Sequence, residues 1–124
     1  DDRPALVISG PNAGGKTVVL KMVGLCALLV QHGCFVTAEE GSSVGLFRRV
    51  LAAIGDQQTV EGDLSSFSSH LLALRCMARH AAPDALLLLD EVASGTDPAQ
   101  GSAIAQAVLE GLAGAGARLG GATH

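Results

Sequence analysis

Residues 10–17 combine glycines, a lysine and a hydroxyl at a spacing that suits the binding of phosphate groups. The run fits the pattern G-x-x-x-x-G-K-[ST] and reads Gly10-Pro11-Asn12-Ala13-Gly14-Gly15-Lys16-Thr17. With this chain's residue frequencies, such a match is expected by chance roughly 0.004 times. Glycines let backbone N–H groups turn inward around phosphate oxygens, and a following helix adds its positive end. The pattern predicts a phosphate-binding loop rather than a glycine-rich turn with a surface lysine.

Two side chains of this loop have distinct expected roles. Lys16 is expected to neutralise charge on the β- and γ-phosphates of a nucleoside triphosphate, so it is a candidate for both binding and catalysis. Thr17 is expected to offer its hydroxyl oxygen to Mg²⁺.

Two adjacent carboxylates, Asp90 and Glu91, follow an apolar run at residues 85–89. At the end of a buried strand such a pair is costly unless a cation lies near, and Mg²⁺ is the natural one. Asp90 is then expected to hold the hydrated metal, and Glu91 to orient or deprotonate the attacking water. Taken alone, the pattern fits solvated acids at a strand end equally well. The phosphate-binding loop in the same chain favours the catalytic interpretation.

Two further polar segments each have two open interpretations. The run 65–69 places Ser66 at a predicted helix start, where serines cap orphan N–H groups or help to bind a second phosphate across a dimer. His124 is either a frayed terminal residue or a hydrogen-bond donor to a γ-phosphate. The other histidines lack the spacing of metal ligands and are predicted at the surface or at helix ends: His32, His70 and His80.

Apolar runs and helical periodicity predict the elements that position these residues. Strands are predicted at 5–9 and 85–89, both as inner strands, and at 34–38, with another apolar stretch at 50–54. A first helix is predicted at 16–31, buried on all sides and ended by Gly33. A second is predicted at 66–80, with the apolar face Phe67, Leu71, Leu74 and Ala78. A third is predicted from Asp97-Pro98 to the glycines at 111–116. By propensity, residues 117–124 make a poor strand because of Gly120-Gly121.

This order of strands and helices is typical of an α/β fold with a mostly parallel sheet flanked by helices. In such folds ligands bind at the carboxyl ends of the strands. Each of the polar segments above is predicted to fall at such an end.

Composition limits the classes of protein that remain. The chain has 124 residues, 48% of them apolar, which suffices for one hydrophobic core without disulfide bonds or a structural metal ion. Only 16% are charged, so we expect an excised fragment whose apolar surface other segments cover. A net charge of −4 and 2% aromatic residues provide neither a basic field nor stacking platforms for nucleic acid. Three cysteines without a CxxC pair predict reduced core thiols and a cytoplasmic protein, and no signal peptide, membrane span or membrane partner is expected.

Four segments together resemble the ATPase core of the MutS family, in the family's order and over nearly the whole chain. They are GPNAGGKTVVLK at 10–21, LSSFSSH at 64–70, LDEVASGTDP at 89–98 and TH at 123–124. The Gly-Gly-Lys-Thr-Val variant, the Ser-Ser-His after Phe67 and the Ser-Gly-Thr-Asp-Pro run are similar to the bacterial suppressor-of-recombination branch, MutS-two.

The resemblance implies a P-loop NTPase fold of the ABC type, in which two copies sandwich ATP and Mg²⁺. Each copy completes the other's site with the helix end at Ser66, and His124 faces the γ-phosphate. Residues 94–97 then lie at the subunit interface, Gln58 lies in a coupling loop, and a strand at 118–122 inserts between those that carry the loop and Asp90. For the complete protein the resemblance implies a homodimer that acts on branched or recombination-intermediate DNA through parts outside this chain, with stalled ribosomes as a second candidate substrate.

We therefore expect residues 1–124 to be a MutS-type ATPase core from a larger multidomain chain, hydrolysing ATP to ADP and phosphate and weak or inactive in isolation. Three alternatives stay open. One is a nucleotide-gated dimerisation module with incidental hydrolysis. Another is an ABC-type ATPase of a different family, against which the sequence Ser65-Ser66-Phe67 argues, since those families usually present a Ser-Gly-Gly-type signature. The third, a small-molecule kinase, is disfavoured by Glu91 directly after Asp90.

Overall fold

A computed structural model describes residues 5–10, 15–54, 63–90 and 98–123 of the chain. Within these ranges strands and helices alternate, which confirms the predicted α/β class. In chain order the elements are β1 (Ala5–Ser9), α1 (Lys16–Gln31), β2 (Arg49–Ala53), α2 (Asp63–His80), β3 (Ala85–Asp90), α3 (Pro98–Gly114) and β4 (Arg118–Thr123).

The strands form one parallel sheet in the order β1-β4-β3-β2. The last strand in the chain therefore lies between β1 and β3, as the family resemblance implied for residues 118–122. Because all four strands run the same way, the carboxyl ends of β1, β3 and β4 lie side by side along one edge. That edge carries Gly10, directly after β1, and Asp90, the last residue of β3.

Two apolar cores lie on the two faces of the sheet, and β3 contributes to both. Its six residues are all buried, and their side chains alternate between the faces. Leu86 and Leu88 pack with Leu20 and Ala27 of α1 on one face. On the other face the core consists of side chains from β3, β4, α2 and α3 and includes Leu74, Met77, Leu87, Leu89, Leu112 and Leu119. Helix α1 thus covers one face of the sheet, and helices α2 and α3 cover the other.

The end of α1 is set by Gly33, as the sequence predicted. Gly33 has φ +73°, in the left-handed region where glycine is favoured. Its N–H donates to the carbonyl of Val30 at 3.0 Å, and the N–H of Cys34 donates to that of Leu29 at 2.8 Å. These two bonds form a Schellman motif, which satisfies carbonyls that would otherwise lack partners.

Three predictions about residues 5–39 are wrong. Within the described residues β1 pairs with β4 alone, so it is an edge strand, and Leu6 and Val7 are 60% and 51% exposed. Helix α1 is not buried on all sides, because it turns only one stripe, including Leu20 and Ala27, toward the sheet. Residues 34–39 form no regular structure, and Phe35 is fully exposed. A strand there would need a neighbour to pair with, and none of the described strands lies beside this segment.

The buried face of α2 also differs from the prediction. The helix begins at Asp63 and buries Leu74 and Met77, whereas Leu71 is 50% exposed and Ala78 is exposed. The inward stripe is therefore rotated relative to the predicted one, and Leu71 and Ala78 line a groove between α2 and α3 instead. That groove has a volume of about 820 Å³ and apolar walls apart from Arg75.

The cysteines are free, as predicted, but they are not core thiols. Cys34 and Cys76 are exposed, and Cys26 is partly buried on α1. Among the described residues, none of the helices has both the length and the apolar character needed to cross a membrane.

Candidate functional site

The start of α1 presents backbone N–H groups at the carboxyl edge of the sheet. Gly15 caps the helix with φ +73° and ψ +17°, a conformation in which a side chain would be strained. The first helical hydrogen bond runs from the N–H of Val19 to the carbonyl of Gly15, so the N–H groups of residues 16–18 have no acceptor within the helix. The first turn contains no acidic residue, and none of the described side chains caps it. No acidic residue of the helix itself therefore neutralises its positive end.

Lys16 folds back toward the end of β1. Its side chain is 5% exposed, and Nζ donates a hydrogen bond to the carbonyl oxygen of Gly10. The two described ends of the predicted phosphate-binding loop are thus joined by one contact. The structure brings Gly10, Gly15 and Lys16 together, three of the residues that the sequence predicted for phosphate.

Thr17 links α1 to the end of β3. Its Oγ1 donates to Oδ2 of Asp90 at 2.5 Å, although the two residues are 73 positions apart in the chain. A separation this short is typical of a hydroxyl that donates to a charged carboxylate. The two residues that the sequence predicted as metal ligands are therefore in contact.

The oxygen pair of Thr17 and Asp90 fits Mg²⁺. Magnesium prefers oxygen ligands and keeps several waters, and in nucleotide sites it takes one or two protein oxygens together with phosphate oxygens. Within the described ranges, no three His, Cys, Asp or Glu side chains gather into a potential metal site. The described donor set suits a metal shared with a phosphate ligand.

Lys16 and Asp90 are also the two buried charged side chains in the described part of the chain, at 5% and 8% exposure. Burial of a charge is costly unless partners of opposite charge or good hydrogen bonds compensate. The fold places both groups at the same edge of the sheet, where the ammonium group could bind an anion and the carboxylate could bind a cation. A polyanion that carries a divalent cation is a ligand that would use both.

Several predicted site residues cannot be placed in this geometry. Pro11, Asn12, Ala13, Gly14, Glu91 and His124 lie outside the described residues, as do Gln58 and residues 94–97. The backbone of Ser66 lies in the first turn of α2, three residues after its start at Asp63, and its side chain lies outside the described part. Ser66 is therefore inside the helix, and its interpretation as the N-cap is wrong.

Two of the three internal histidines end helices, as predicted. His32 is the C-cap of α1, and its Nδ1 donates to the carbonyl of Leu28 at 2.8 Å. His80 ends α2 and bonds to the carbonyl of Cys76 at the same distance. His70 differs, because it is half-buried within α2, and its Nε2 is buried with no hydrogen-bond partner among the described residues.

The packing directly below the site was not predicted from the sequence. Leu88, two residues before Asp90 on the same strand, lies between Gly24 of α1 and Gly120 of β4. The signal that could have revealed this packing was a glycine in the middle of an otherwise strong helix and another in an apolar strand, since each indicates a close approach of neighbouring atoms.

Comparison with known proteins gives one consistent family. Residues 6–124 match the family model described as MutS domain V. The chain is 52% identical over 123 residues to Endonuclease MutS2 of Pelotomaculum thermopropionicum, and 47% identical over 123 residues to that of Geobacillus thermodenitrificans. It is 43% identical over 124 residues to Endonuclease MutS2 of Leuconostoc mesenteroides. These alignments cover 99 to 100% of the chain and 16% of each relative. The chain therefore spans about a sixth of the length of the curated relatives that it matches.

Proposed function

This chain belongs to the MutS family, as its domain V, and to the MutS2 branch, and on that premise we propose that residues 1–124 form a P-loop ATPase core of the ABC type. Its reaction is the Mg²⁺-dependent hydrolysis of ATP to ADP and phosphate. The observation that carries the proposal is the hydrogen bond between Thr17 and Asp90, made beside a buried Lys16 at the carboxyl edge of the sheet.

In the proposed site, the chain's own groups bind and orient the triphosphate. The N–H groups at the start of α1 and in the loop 10–15 receive phosphate oxygens, and Nζ of Lys16 exchanges the Gly10 carbonyl for the β- and γ-phosphates. Thr17 and Asp90 hold Mg²⁺, which when bound neutralises charge on those phosphates. Ordered donors in a water-poor site stabilise developing charge more strongly than water does.

Two residues outside the described part complete the proposed chemistry. Glu91 follows Asp90 directly, so a site at the end of β3 gives its carboxylate the role of orienting or deprotonating the attacking water. His124 follows β4, the strand between β1 and β3, and we assign it a hydrogen bond to the γ-phosphate. Both assignments rest on sequence position and family membership.

We further propose that two copies of the chain pair through the ATPase face, with Ser66 of one copy completing the nucleotide site of the other. The support is the direction of α2. Only residues 81–84 connect the end of α2 to the start of β3, so α2 runs antiparallel to the strands. Its first turn, which contains Ser66, therefore lies toward the edge of the sheet that carries Gly10 and Asp90.

For the complete polypeptide, we propose action on DNA recombination intermediates. The relatives are called Endonuclease MutS2, and that name supports a DNA substrate for the whole protein. The net charge of −4 supports a division of labour, with DNA contacts made by other parts of the polypeptide and ATP turnover by this domain. A role at stalled ribosomes stays a second candidate, and a cytoplasmic location is part of the same proposal.

The first test is the substitution Lys16→Ala in the complete natural polypeptide. We expect it to remove the thermal stabilisation by MgATP, which at a ligand concentration of 100 times Kd is about 2.7 kcal/mol for the unsubstituted protein. Lys21→Ala is the matched control, because Lys21 is the chain's other lysine and is exposed on the same helix. Unchanged MgATP stabilisation in Lys16→Ala, or none in the unsubstituted protein, would sink the proposal.

The second test separates an ATPase from a nucleotide-gated dimerisation module. Glu91→Gln keeps the size of the side chain and removes its basicity, so we expect normal MgATP binding and phosphate release reduced by about 10²-fold or more. Phosphate release and the MgATP-dependent change in sedimentation are measured on the same preparations. If the unsubstituted protein dimerises with a non-hydrolysable ATP analogue but releases phosphate only at background, the dimerisation module is correct.

A further inference from the structure

The side chain of Leu88 is confined between two glycines that belong to different elements. A Cβ atom on Gly24 of α1 would lie 2.7 Å from Cδ1 of Leu88. A Cβ atom on Gly120 of β4 would lie 2.9 Å from Cδ2 of the same leucine and 3.4 Å from Cδ2 of Leu20. Leu88 is 1% exposed, so each of its two methyl groups occupies space that only a glycine leaves open.

This confinement leaves Leu88 no simple escape. An unconfined leucine side chain could rotate away from one new methyl group at little cost. Here a rotation away from Gly24 moves the other methyl toward Gly120, which is the register partner of Leu88 on β4. A new Cβ at either glycine must therefore displace Leu88, and we expect the displaced side chain to press α1 away from the sheet.

The confined leucine lies directly below the Thr17–Asp90 hydrogen bond. Leu88 is two residues before Asp90, or about 7 Å along β3, and on the same face of the sheet. Leu20 and Gly24 follow Thr17 by one and two helical turns, or about 5 and 10 Å along α1. We therefore expect the depth at which α1 lies on the sheet at these glycines to affect the separation between Thr17 and Asp90.

We propose that Gly24 and Gly120 are positioning residues for the metal site, because they let α1 lie close enough to the sheet for Thr17 and Asp90 to hold Mg²⁺ together. The inference rests on the proposed function. It also explains two residues that are otherwise unfavourable, since glycine is a poor helix former and weakens a strand interior.

The size of the expected displacement decides which property responds. To reach an ordinary contact of 3.4 Å, the structure must open by about 0.5 Å at Gly120 and about 0.7 Å at Gly24 when a Cβ is added. A hydrogen bond of 2.5 Å survives such a change with weaker geometry. Binding of Mg²⁺ is more sensitive, because this ion prefers near-ideal octahedral geometry, so we expect its shared site to weaken.

The experiment uses Gly120→Ala and Gly24→Ala in the complete natural polypeptide, and it measures the affinity for a fluorescent ATP analogue in EDTA and across a Mg²⁺ titration. We expect the Mg²⁺ concentration for half-maximal tightening to rise about tenfold in both variants, while the affinity in EDTA changes less than about twofold. Thermal unfolding without nucleotide is recorded alongside, so that a general loss of stability is measured separately.

The chain provides a matched control for each glycine. Gly121→Ala is in the same strand but on the opposite face, and its Cβ would meet nothing within 4 Å. Gly111→Ala is inside a helix, as Gly24 is, and its Cβ also meets nothing within 4 Å. Both controls are expected to keep the Mg²⁺ requirement of the unsubstituted protein within about twofold.

A compensating substitution makes the test specific. Leu88→Val removes the Cδ atoms that collide, so the double variants Gly120→Ala/Leu88→Val and Gly24→Ala/Leu88→Val are expected to recover most of the Mg²⁺ affinity. If a single variant does not fold, the double variants still provide the measurement. If the Mg²⁺ requirement of the alanine variants equals that of the controls, the positioning role is wrong even if their unfolding temperatures fall. If the unsubstituted protein shows no Mg²⁺-dependent nucleotide binding, the proposed function fails first and the inference fails with it.

Discussion

Strands β1 and β3 have similar apolar sequences but very different surroundings. The sequence of β1 reads ALVIS and that of β3 reads ALLLLD. All six residues of β3 are buried, because β4 and β2 flank it and helices cover both faces. Leu6 and Val7 of β1 are more than half exposed, because within the described residues β1 has one neighbour. An apolar run therefore predicts a strand, but the number of its neighbours decides whether that strand is an inner one.

The same contrast divides the candidate site into two halves. Asp90 extends from the buried strand, while the loop that begins at Gly10 extends from the exposed one. The hydrogen bond from Thr17 connects the second half to the first. We therefore expect the acidic half of the site to be the more rigid, since local opening is least favourable where burial is complete.

The largest effect that tests this contrast is expected from Leu87→Ala. Leu87 is fully buried in β3, so its truncation leaves a cavity and should lower the free energy of unfolding of the 124-residue chain by about 3 kcal/mol. Leu6→Ala is the counterpart in β1, where 60% exposure limits the expected loss to about 0.5 kcal/mol. Urea denaturation measures both. Equal losses would mean that the two strands are equally buried in solution.

A smaller effect is expected from Thr17→Val, which removes the hydroxyl between the two halves and keeps the shape of the side chain. The Asp90 carboxylate then loses a hydrogen bond in a mostly buried position, and the expected cost without nucleotide is about 1 to 2 kcal/mol. Thr17→Ser keeps the hydroxyl and serves as the control, with a change of about 0.5 kcal/mol or less. If valine and serine behave alike in urea denaturation, the hydrogen bond does not connect the two halves in solution.

The elements that sequence predicted best are those with strong local signals. Helix α1 begins after the glycine-rich loop and ends before Gly33, and β1 and β3 coincide with their apolar runs to within one residue. Local chemistry also explains the misplaced strand at 34–38, because β-branched and aromatic residues favour a strand that still needs an edge to pair with. The position of that edge is a property of the whole fold.

Strand β4 shows the opposite case. Its glycines make it a poor strand by propensity, yet it lies between β1 and β3. The reason is non-local, since Gly120 makes room for Leu88 from the neighbouring strand and for Leu20 from α1. Only the family resemblance, which carries information about the whole fold, predicted its place.

The candidate site was largely predictable because its residue types are demanding. Few side chains other than those of Lys16, Thr17 and Asp90 could fill these positions, and the structure places all three at one edge of the sheet. Their separations and burial could not be read from the sequence, because they depend on how closely α1 approaches the sheet. We propose that Gly24 and Gly120 govern that approach, and neither residue has a functional group that would mark it as part of a site.

The hydrogen bond between Lys16 and Gly10 has a consequence for the selectivity of the proposed site. The Gly10 carbonyl is an internal competitor for the ammonium group, held at a constant and high effective concentration. In the proposed site, a single inorganic phosphate would have to displace this carbonyl with few contacts of its own, whereas a triphosphate would compensate with additional contacts. If the proposed site turns over ATP, the same carbonyl would take the ammonium back when phosphate leaves, which would disfavour rebinding of the product.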